Sequence, residues 1–528
     1  MANSDGHVIG IDLGTYTIST CVFDTENRTV VVIPDSGHNT TPAQVAFTDR
    51  LCLVGRAAGL VALVDPRNTI TLAAHFLGRG PNDEGIRDIM TNLSFDVLFN
   101  GDQAFFKVRY RNQDICVTPQ EVLSILLDHI KKNAEKEAAC KVIGAVIVVP
   151  SSYDRLQRDL VKLAASVAGL RTVRIITGTI ACAISTNVTL VESGKHDLKV
   201  VKTAECPTGG EHFTGALFSY LLQPPISDVV LSESSKVPAR LRRSRFWQQC
   251  ENAKCRLSIT EGPAYIDMEL GSTRPPLRMM RKDVDLIYAR QDLKLFTKIL
   301  EPIKQVLSQS GIDKSDIHEI ALTGGTFKLL RVHAALSHFL NSMPWTSTES
   351  DTLAARGAAI YAGSLPSARG GTIGNFSDIL GHSLGFEDHN GKLAIMLPRH
   401  ASLPIKHGKT VVLPTTKDWQ AFLKIRIYEG EDTVAAKNRY LGTLRFPIRA
   451  RLEHKVTVKL AFHVASSDGL MIMASEPGME PSHIMTTFLG DLDPQVEFVN
   501  MTMKLEQFRK DARLELALSN LNSKHGAH

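Results

Sequence analysis

No stretch of this 528-residue chain is apolar for long enough to span a bilayer as a helix. Its eight cysteines, at positions 21, 52, 116, 140, 182, 206, 250 and 255, include no CxxC pair and no dense framework. A disulfide scaffold is therefore not expected, a reduced compartment fits, and burial is the default for each thiol. The 18 histidines show no metal-ligand spacing. Strong charge of either sign is also missing: 60 Lys and Arg against 55 Asp and Glu leave a net charge of +5, which permits an anionic partner without requiring one. The opening Met1-Ala2-Asn3-Ser4-Asp5-Gly6-His7 lacks a signal peptide's apolar core, and Lys524-His525-Gly526-Ala527-His528 spells no retention address. The cytosol is the expected location, with no membrane partner. What remains is 43% hydrophobic and 22% charged residues, a soluble globular balance. The length suffices for three or four compact units.

The most informative segment is Ile9-Gly10-Ile11-Asp12-Leu13-Gly14-Thr15-Tyr16-Thr17. Val8, Ile9 and Ile11 read as a strand, and the apolar run resumes at Cys21-Val22-Phe23. The turn between them offers a carboxylate, a glycine and a hydroxyl. Such a turn can hold a phosphate: glycine lets backbone N–H groups approach oxygen closely, and the hydroxyl donates another bond. Asp12 would then face a magnesium ion through water. The alternative is an ordinary hairpin.

Strands and helices alternate over the first two-thirds. Val142 to Val149 is a continuous, largely β-branched run ending at Pro150, as in a strand buried on both faces. A helix starts at Ser151-Ser152-Tyr153-Asp154, with Leu156, Leu160, Leu163, Ala164 and Val167 on its apolar face and Gly169 at its end. Val173 to Ile176 returns to strand, completing a βαβ unit. A second strand, turn and helix runs from Ile320 through Thr323-Gly324-Gly325-Thr326 and Lys328 to Ala335. Small and polar residues from Ser364 to Gly371 mark a boundary. Short alternating runs at Leu393–Leu397, Leu423–Tyr428 and Val456–Phe462 then predict an all-β domain.

These motifs, in this order, resemble the heat shock protein 70 (DnaK-type) chaperone family. The phosphate turn Asp12-Leu13-Gly14-Thr15 is followed by Val149-Pro150, Gln157-Arg158 and Ala168-Gly169-Leu170. Gly209-Gly210-Glu211-His212-Phe213 is similar to a family Gly-Gly-Glu-Asp-Phe, and Cys250-Glu251-Asn252-Ala253-Lys254 with Leu257-Ser258 to its adenine-contacting helix. Gly324-Gly325-Thr326 resembles its adenosine-binding Gly-Gly-Ser, and Asp351 with Gly357-Ala358-Ala359 its closing helix. Ile427-Tyr428-Glu429-Gly430-Glu431 and Leu441-Gly442 match its substrate-binding domain. The resemblance implies an α/β actin-like two-lobed ATPase domain over residues 1–375, a linker at 376–381, an all-β sandwich at 382–500 without a helical lid, and a short tail at 501–528. Met501-Thr502-Met503 and Leu505 to Phe508 are expected as a last strand and a packing turn. It implies ATP with Mg2+ as the cofactor, loosely held. The contacts implied are Asp12, Gly14, Thr15, Tyr16, Gly209, Gly210, Glu211, Glu251, Lys254, Ser258, Gly324, Gly325, Thr326, Lys328 and Asp351, with Asp12 on the metal side.

Departures from the family pattern bear on chemistry. Ala74 stands before His75-Phe76-Leu77-Gly78-Arg79, where the family places a catalytic lysine that positions water and stabilises phosphoryl charge. Gly178 replaces a metal-side glutamate. The family's second phosphate hairpin has no counterpart between Ala181 and Gly209, a stretch short by about two dozen residues, or about two strands. Either that sheet is rebuilt or the sequence carries a deletion of its lineage or gene model. Glu251, Lys254 and Ser258 share one helical face. Without the resemblance, they read as a solvated face with an intrahelical pair. Cys255 and Lys328 stand where adenine-stacking arginines are expected, so stacking is weakened. Arg240, Arg242, Arg243 and Arg245 form a basic run that reads as a solvated helix face or as an RNA contact.

Poor hydrolysis and a truncated substrate end resemble the Ssz-type subunit of the ribosome-associated complex. That subgroup implies a zuotin-type J-domain partner, the ribosome through that partner, a second, catalytically active heat shock protein 70 chaperone, and nascent polypeptide. The alternatives are an ATP-hydrolysing chaperone that binds exposed peptides and a nucleotide-exchange factor for another chaperone.

Overall fold

Apolar alternation in the N-terminal segment builds the sheet on which the rest is assembled. The structure is a computed structural model. It describes residues 6–24, 26–27, 29–83, 86–178, 181, 191–193, 197–200, 209–224, 239–267, 275–291, 293–317, 321–322, 328–341, 345–346, 351–364, 375–377, 379–414, 420–448, 455–466, 469–476, 482–484 and 494–525. Strands β1 (His7–Leu13), β2 (Thr17–Asp24), β3 (Thr29–Val32), β4 (Val142–Val149) and β5 (Thr172–Thr177) lie in the order β5-β4-β1-β2-β3. β4 runs parallel to β1 and β5, whereas β2 is antiparallel to its neighbours. The continuous apolar run of β4 is buried at every position except Ile143, the two-faced burial expected of a central parallel strand.

Helix α1 (Pro119–Glu137) opens on a capping box of Thr118 and Glu121, and α2 (Arg155–Val167) on one of Asp154 and Gln157. The βαβ unit expected from sequence is thus present as β4-α2-β5, and the chain leaves α2 through Gly169 at a φ of 86°. Both helices share one face of the sheet with Ile9, Ile11, Ala145 and Ile147. A second lobe forms around α3 (Gly210–Leu221) and α4 (Ala239–Ile259), with Phe213, Phe218, Phe246 and Tyr288 in its core. Helix α5 (Leu353–Ser364) then returns to the first sheet and covers its other face through Ala354, Ala358 and Ala362 against Val8, Val146 and Val148.

Small residues on α5 permit a very close approach to β1. A Cβ on Gly10 would lie 2.3 Å from the Ala359 nitrogen and 2.5 Å from the Ala355 oxygen. Gly10→Ala is therefore expected to lower stability by about 2–3 kcal/mol through overpacking. Urea unfolding checks this, and an unchanged midpoint would mean that strand and helix part there at little cost.

Beyond 380 the chain forms β6 (Leu384–Glu387), β7 (Leu393–Leu397), β8 (Ile405–Pro414), β9 (Phe422–Glu429), β10 (Arg439–Pro447), β11 (Lys455–Ser466), β12 (Gly469–Ser475) and β13 (Ser482–Ile484). They make two four-stranded antiparallel sheets, β7-β6-β9-β10 and β8-β11-β12-β13. Phe386, Ile425 and Ile427 of one sheet and Val458, Leu460 and Phe462 of the other share a single core. The pairing of β9 with β10 carries a bulge: Ile427 faces Gly442 but Tyr428 faces Tyr440, so Leu441 is the extra residue.

This β-domain docks on the first lobe at the start of α2. Glu429 Oε2 accepts from the Arg155 backbone N–H at 2.7 Å. The Arg439 guanidinium donates to Asp154 Oδ2 at 2.9 Å and to the Gly78 carbonyl at 2.7 Å. Within the segment that leads into it, Asn375–Ser377 pairs in parallel with Asp197–Lys199.

The last element departs from expectation. In place of a strand, a packing turn and a short tail, the structure has α6 (Pro494–His525), a helix of 32 residues. Met501, Leu505 and Phe508 recur at helical spacing and join the core of the first lobe. Their burial against α1 and α2, not a strand period of two, decides the conformation.

Candidate functional site

The turn between β1 and β2 lies on the side of the first sheet nearest the second lobe, since Tyr16 in it is within the reach of Glu211 and Glu251. Gly14 is required there, because a Cβ would lie 2.4 Å from the Thr17 carbonyl oxygen. Thr15 is half-buried in the same turn. Among the described residues no cation acts on Asp12, at the end of β1. Removal from water, then the nearby Asp351 carboxylate, raises its carboxyl to about 7. Asp351 lies just before α5, where its carbonyl accepts from Ser19 Oγ at 2.6 Å and its carboxylate pairs with Lys328. Tyr16 reaches toward the second lobe. Burial, Glu211 and Glu251 push its phenol well above the usual range, and among the described residues its buried hydroxyl has no hydrogen-bond partner.

The second lobe supplies the opposite wall. Gly209 is the N-cap of α3, and Glu211 lies in the first turn. Burial, with Glu251 close by, raises the Glu211 carboxyl against the opposing pull of Lys254. Glu251 and Lys254 of α4 form the intrahelical pair at 2.8 Å, but the pair is sequestered, with side chains 14% and 8% exposed. The solvated-face reading therefore does not hold. Lys254 also donates to the Gly210 carbonyl at 2.8 Å, and Thr214 Oγ1 donates to Glu251. Ser258 spends its hydroxyl within the helix, on the Lys254 carbonyl at 2.8 Å. Lys254 and Ser258 line a small cavity of about 20 Å³ with Phe213, Arg281, Asp285 and Tyr288. Cys255 Sγ contacts Glu251 Oε1 at 3.2 Å, and burial with that carboxylate pushes the thiol up to about 12. The expected Gly324, Gly325 and Thr326 contacts fall outside the described residues, as does most of the Ala181–Gly209 stretch.

Two positions matter for what they do not supply. Ala74 contributes only its carbonyl, which accepts from Tyr153 Oη at 2.9 Å. The adjacent His75 lies 3.9 Å from Glu211, but burial, Arg79 and His212 depress it to about 4, so it is neutral at pH 7 and makes no ion pair. Gly178 brings no carboxylate. Of the arginine run of α4, Arg242, Arg243 and Arg245 are half-buried and do not form a free solvated face. Arg243 stacks over Phe218 at 5.1 Å, and Arg245 donates to the Val64 carbonyl of the first lobe at 3.4 Å. Thr214 was not legible as a site residue; its only sequence signal is its position one turn after Gly210.

The donor set fits a magnesium nucleotide on the phosphate side. Among the described residues Asp12 has no countercharge and Tyr16 Oη has no partner. Among the described residues no three carboxylate, histidine or cysteine side chains cluster for a metal. Asp12 would therefore share an ion with phosphate oxygens and would not hold one alone. Ionising Asp12 costs the folded protein. Its contribution to stability is complete below the ordinary carboxylate range and is lost as pH rises through about 7. Asp12→Asn removes that loss, and nucleotide-free protein is expected to gain about 2 kcal/mol at pH 8 and to show a shallower pH slope between 5 and 8. Thermal unfolding across that range checks this, and equal slopes in both proteins would refute it.

A mixed sheet flanked by helices on both faces, with a second helical lobe beside it, makes this a mixed α/β protein of the ATPase type. A family model described as Hsp70 protein matches residues 8–189 and 185–513. The chain belongs to the heat shock protein 70 family, chaperones that bind ATP with Mg2+. It is 29% identical to a heat shock 70 kDa protein of Neurospora crassa over 96% of this chain and 82% of that protein. To a protein of the same name from Ajellomyces capsulatus it is 27% identical, covering 98% and 76%. Heat shock 70 kDa protein 2 of Paracoccidioides lutzii is likewise 27% identical, over 98% and 82%. Among the described residues no helix is long and apolar enough to cross a membrane.

Proposed function

We propose that this chain is an atypical member of its family, a regulatory subunit that binds ATP weakly and hydrolyses it poorly. It would work with a zuotin-type J-domain partner at the ribosome, in the cytoplasm, helping a catalytically active chaperone act on nascent chains. The observation that carries the reading is the phosphate side of the site. There Ala74 offers no ammonium, His75 is neutral, Gly178 offers no carboxylate, and among the described residues Asp12 is left without a cation. Bound nucleotide and magnesium would supply the phosphoryl group and its countercharge. Asp12, the Gly14 turn and Tyr16 would hold them, while Glu211, Glu251, Lys254 and the Lys328–Asp351 pair would flank the nucleoside. No described side chain is placed to orient an attacking water or to neutralise charge on the leaving phosphate, so binding without efficient turnover is the chemistry this set supports.

The first test is single-turnover ATP hydrolysis with and without a J-domain protein. The expected result is slow hydrolysis that the J-domain protein leaves within about threefold, against the roughly 10³–10⁵ that one arginine completing a phosphoryl-transfer site can add. Strong acceleration would favour the ATP-driven foldase. The second test is purification from cells. Absence of both ribosomes and a J-domain protein would remove the ribosome-associated reading.

A further inference from the structure

We propose that the outer face of the second β-domain sheet binds a soft monovalent metal ion, of the class of Cu(I), through His463, Met471 and Met473. Residues alternate faces along β11 and β12. Phe462, Val464, Leu470, Ile472 and Ala474 belong to the core. His463, Met471 and Met473 lie between them and therefore face outward, and each is half-buried. Toward the other end of the same strands this face is polar, with Thr457 and Lys459 exposed on β11 and Ser475 half-buried on β12. Two thioethers at i and i+2 break that pattern at one place, and core packing does not account for them.

Strand pairing brings the three together. His463 stands opposite Met471, and Ala461 stands opposite Met473. Directly opposite residues carry Cβ atoms about 4.5–5.5 Å apart, and a diagonal neighbour about 7–8 Å away is still within reach of a long side chain. Met473 is diagonal to His463, and Ala461 is too small to block that diagonal. On its other side His463 faces Lys406 of β8, which has donors and no acceptor. Among the described residues the imidazole makes no hydrogen bond and no ion pair, so a ring nitrogen is available to a ligand. The register also sets His483 of β13 opposite Met473.

The donor types choose the ion. Thioether sulfur is uncharged and polarizable, and together with imidazole it suits Cu(I). Zn(II) instead takes thiolate, imidazole and carboxylate, and Ca(II) and Mg(II) take oxygen. Among the described residues no three histidine, cysteine, aspartate or glutamate side chains cluster for such an ion. A neutral set of one nitrogen and two sulfurs matches a single positive charge. The site belongs to the β-domain alone and does not rest on nucleotide binding, on slow hydrolysis or on a J-domain partner.

Exposed thiols such as Cys116 and Cys255 would capture the same ion, so they are first blocked with N-ethylmaleimide. The full chain, with isotope-labelled methionine methyl groups, is then titrated with Ag(I), a redox-inert stand-in for Cu(I). One equivalent is expected to move two methyl resonances, identified by their loss in M471L and M473L, and Zn(II) is expected to move neither. The M471L/M473L double variant keeps volume and apolarity, so it is expected to melt where the wild type does. Its affinity for Cu(I), measured against a competing chelator, is expected to fall at least about tenfold, the least that even a supporting residue of a metal site is worth. H463Q is expected to lose as much. Methionine resonances that stay in place, a smaller loss of Cu(I) affinity in either variant, or the same shifts with Zn(II) would each overturn the site.

Discussion

Replacing Phe508 by alanine is expected to destabilise the first lobe by about 3–5 kcal/mol, the range for removing a buried phenyl group. The ring closes the aromatic cluster with Phe47 and Tyr110, and both partners belong to the lobe's own core. Neither can follow a retreating neighbour, because Phe47 lies on a strand bonded to two others and Tyr110 is fixed by Asp511. The cavity would therefore collapse little, which places the cost toward the upper end. Urea denaturation followed by circular dichroism measures it. A shift below about 1 kcal/mol, the typical cost of an ordinary substitution, would make Phe508 a peripheral contact.

Installing the absent ammonium is expected to have the largest effect on chemistry. Ala74→Lys should raise single-turnover hydrolysis by roughly 10- to 100-fold, somewhat below the 10²–10³ associated with one preorganised charge-stabilising donor. The main-chain bond from Tyr153 Oη to the residue 74 carbonyl would survive the change. An unchanged rate would move the defect to the metal side. There Gly178 has room for a side chain, since an added Cβ would meet only Val148 at 3.8 Å.

The sequence showed local order well and distant contacts poorly. The strand–helix–strand from Val142 to Thr177 was legible because periodicity, an Asp154 cap and a glycine stop act within a few residues of each other. The same holds for the strands of the β-domain. The glycine turn at Asp12-Leu13-Gly14 was legible as a tight turn between two strands, and the absence of a lysine at Ala74 was visible because a motif framed it. The C-terminal helix was misread because Met501, Leu505 and Phe508 are few and lie among charges, and their partners are hundreds of residues away. The burial of the Glu251–Lys254 pair was invisible for the same reason: an i, i+3 pair reads identically in water and under a neighbouring helix. Asp154 was readable as a cap, but nothing local said that it would also receive Arg439 across domains.

The bulge at Leu441 gives that last contact an unusual tolerance of a change in chain length. Strand residues alternate faces, so one residue of slip turns every following side chain over. With the extra residue of β10 bulged out, Tyr440 stands opposite Tyr428 and Arg439 opposite Glu429. Both docking groups lie on the far side of that bulge from the core-facing Ile425 and Leu444. Lineages that gain or lose residues in surface loops would leave the joint intact. Loss of Leu441 alone would close the bulge with Tyr440 still opposite Tyr428 and Arg439 still opposite Glu429, so the guanidinium would keep its aim on Asp154 and Gly78 while the core lost a buried leucine.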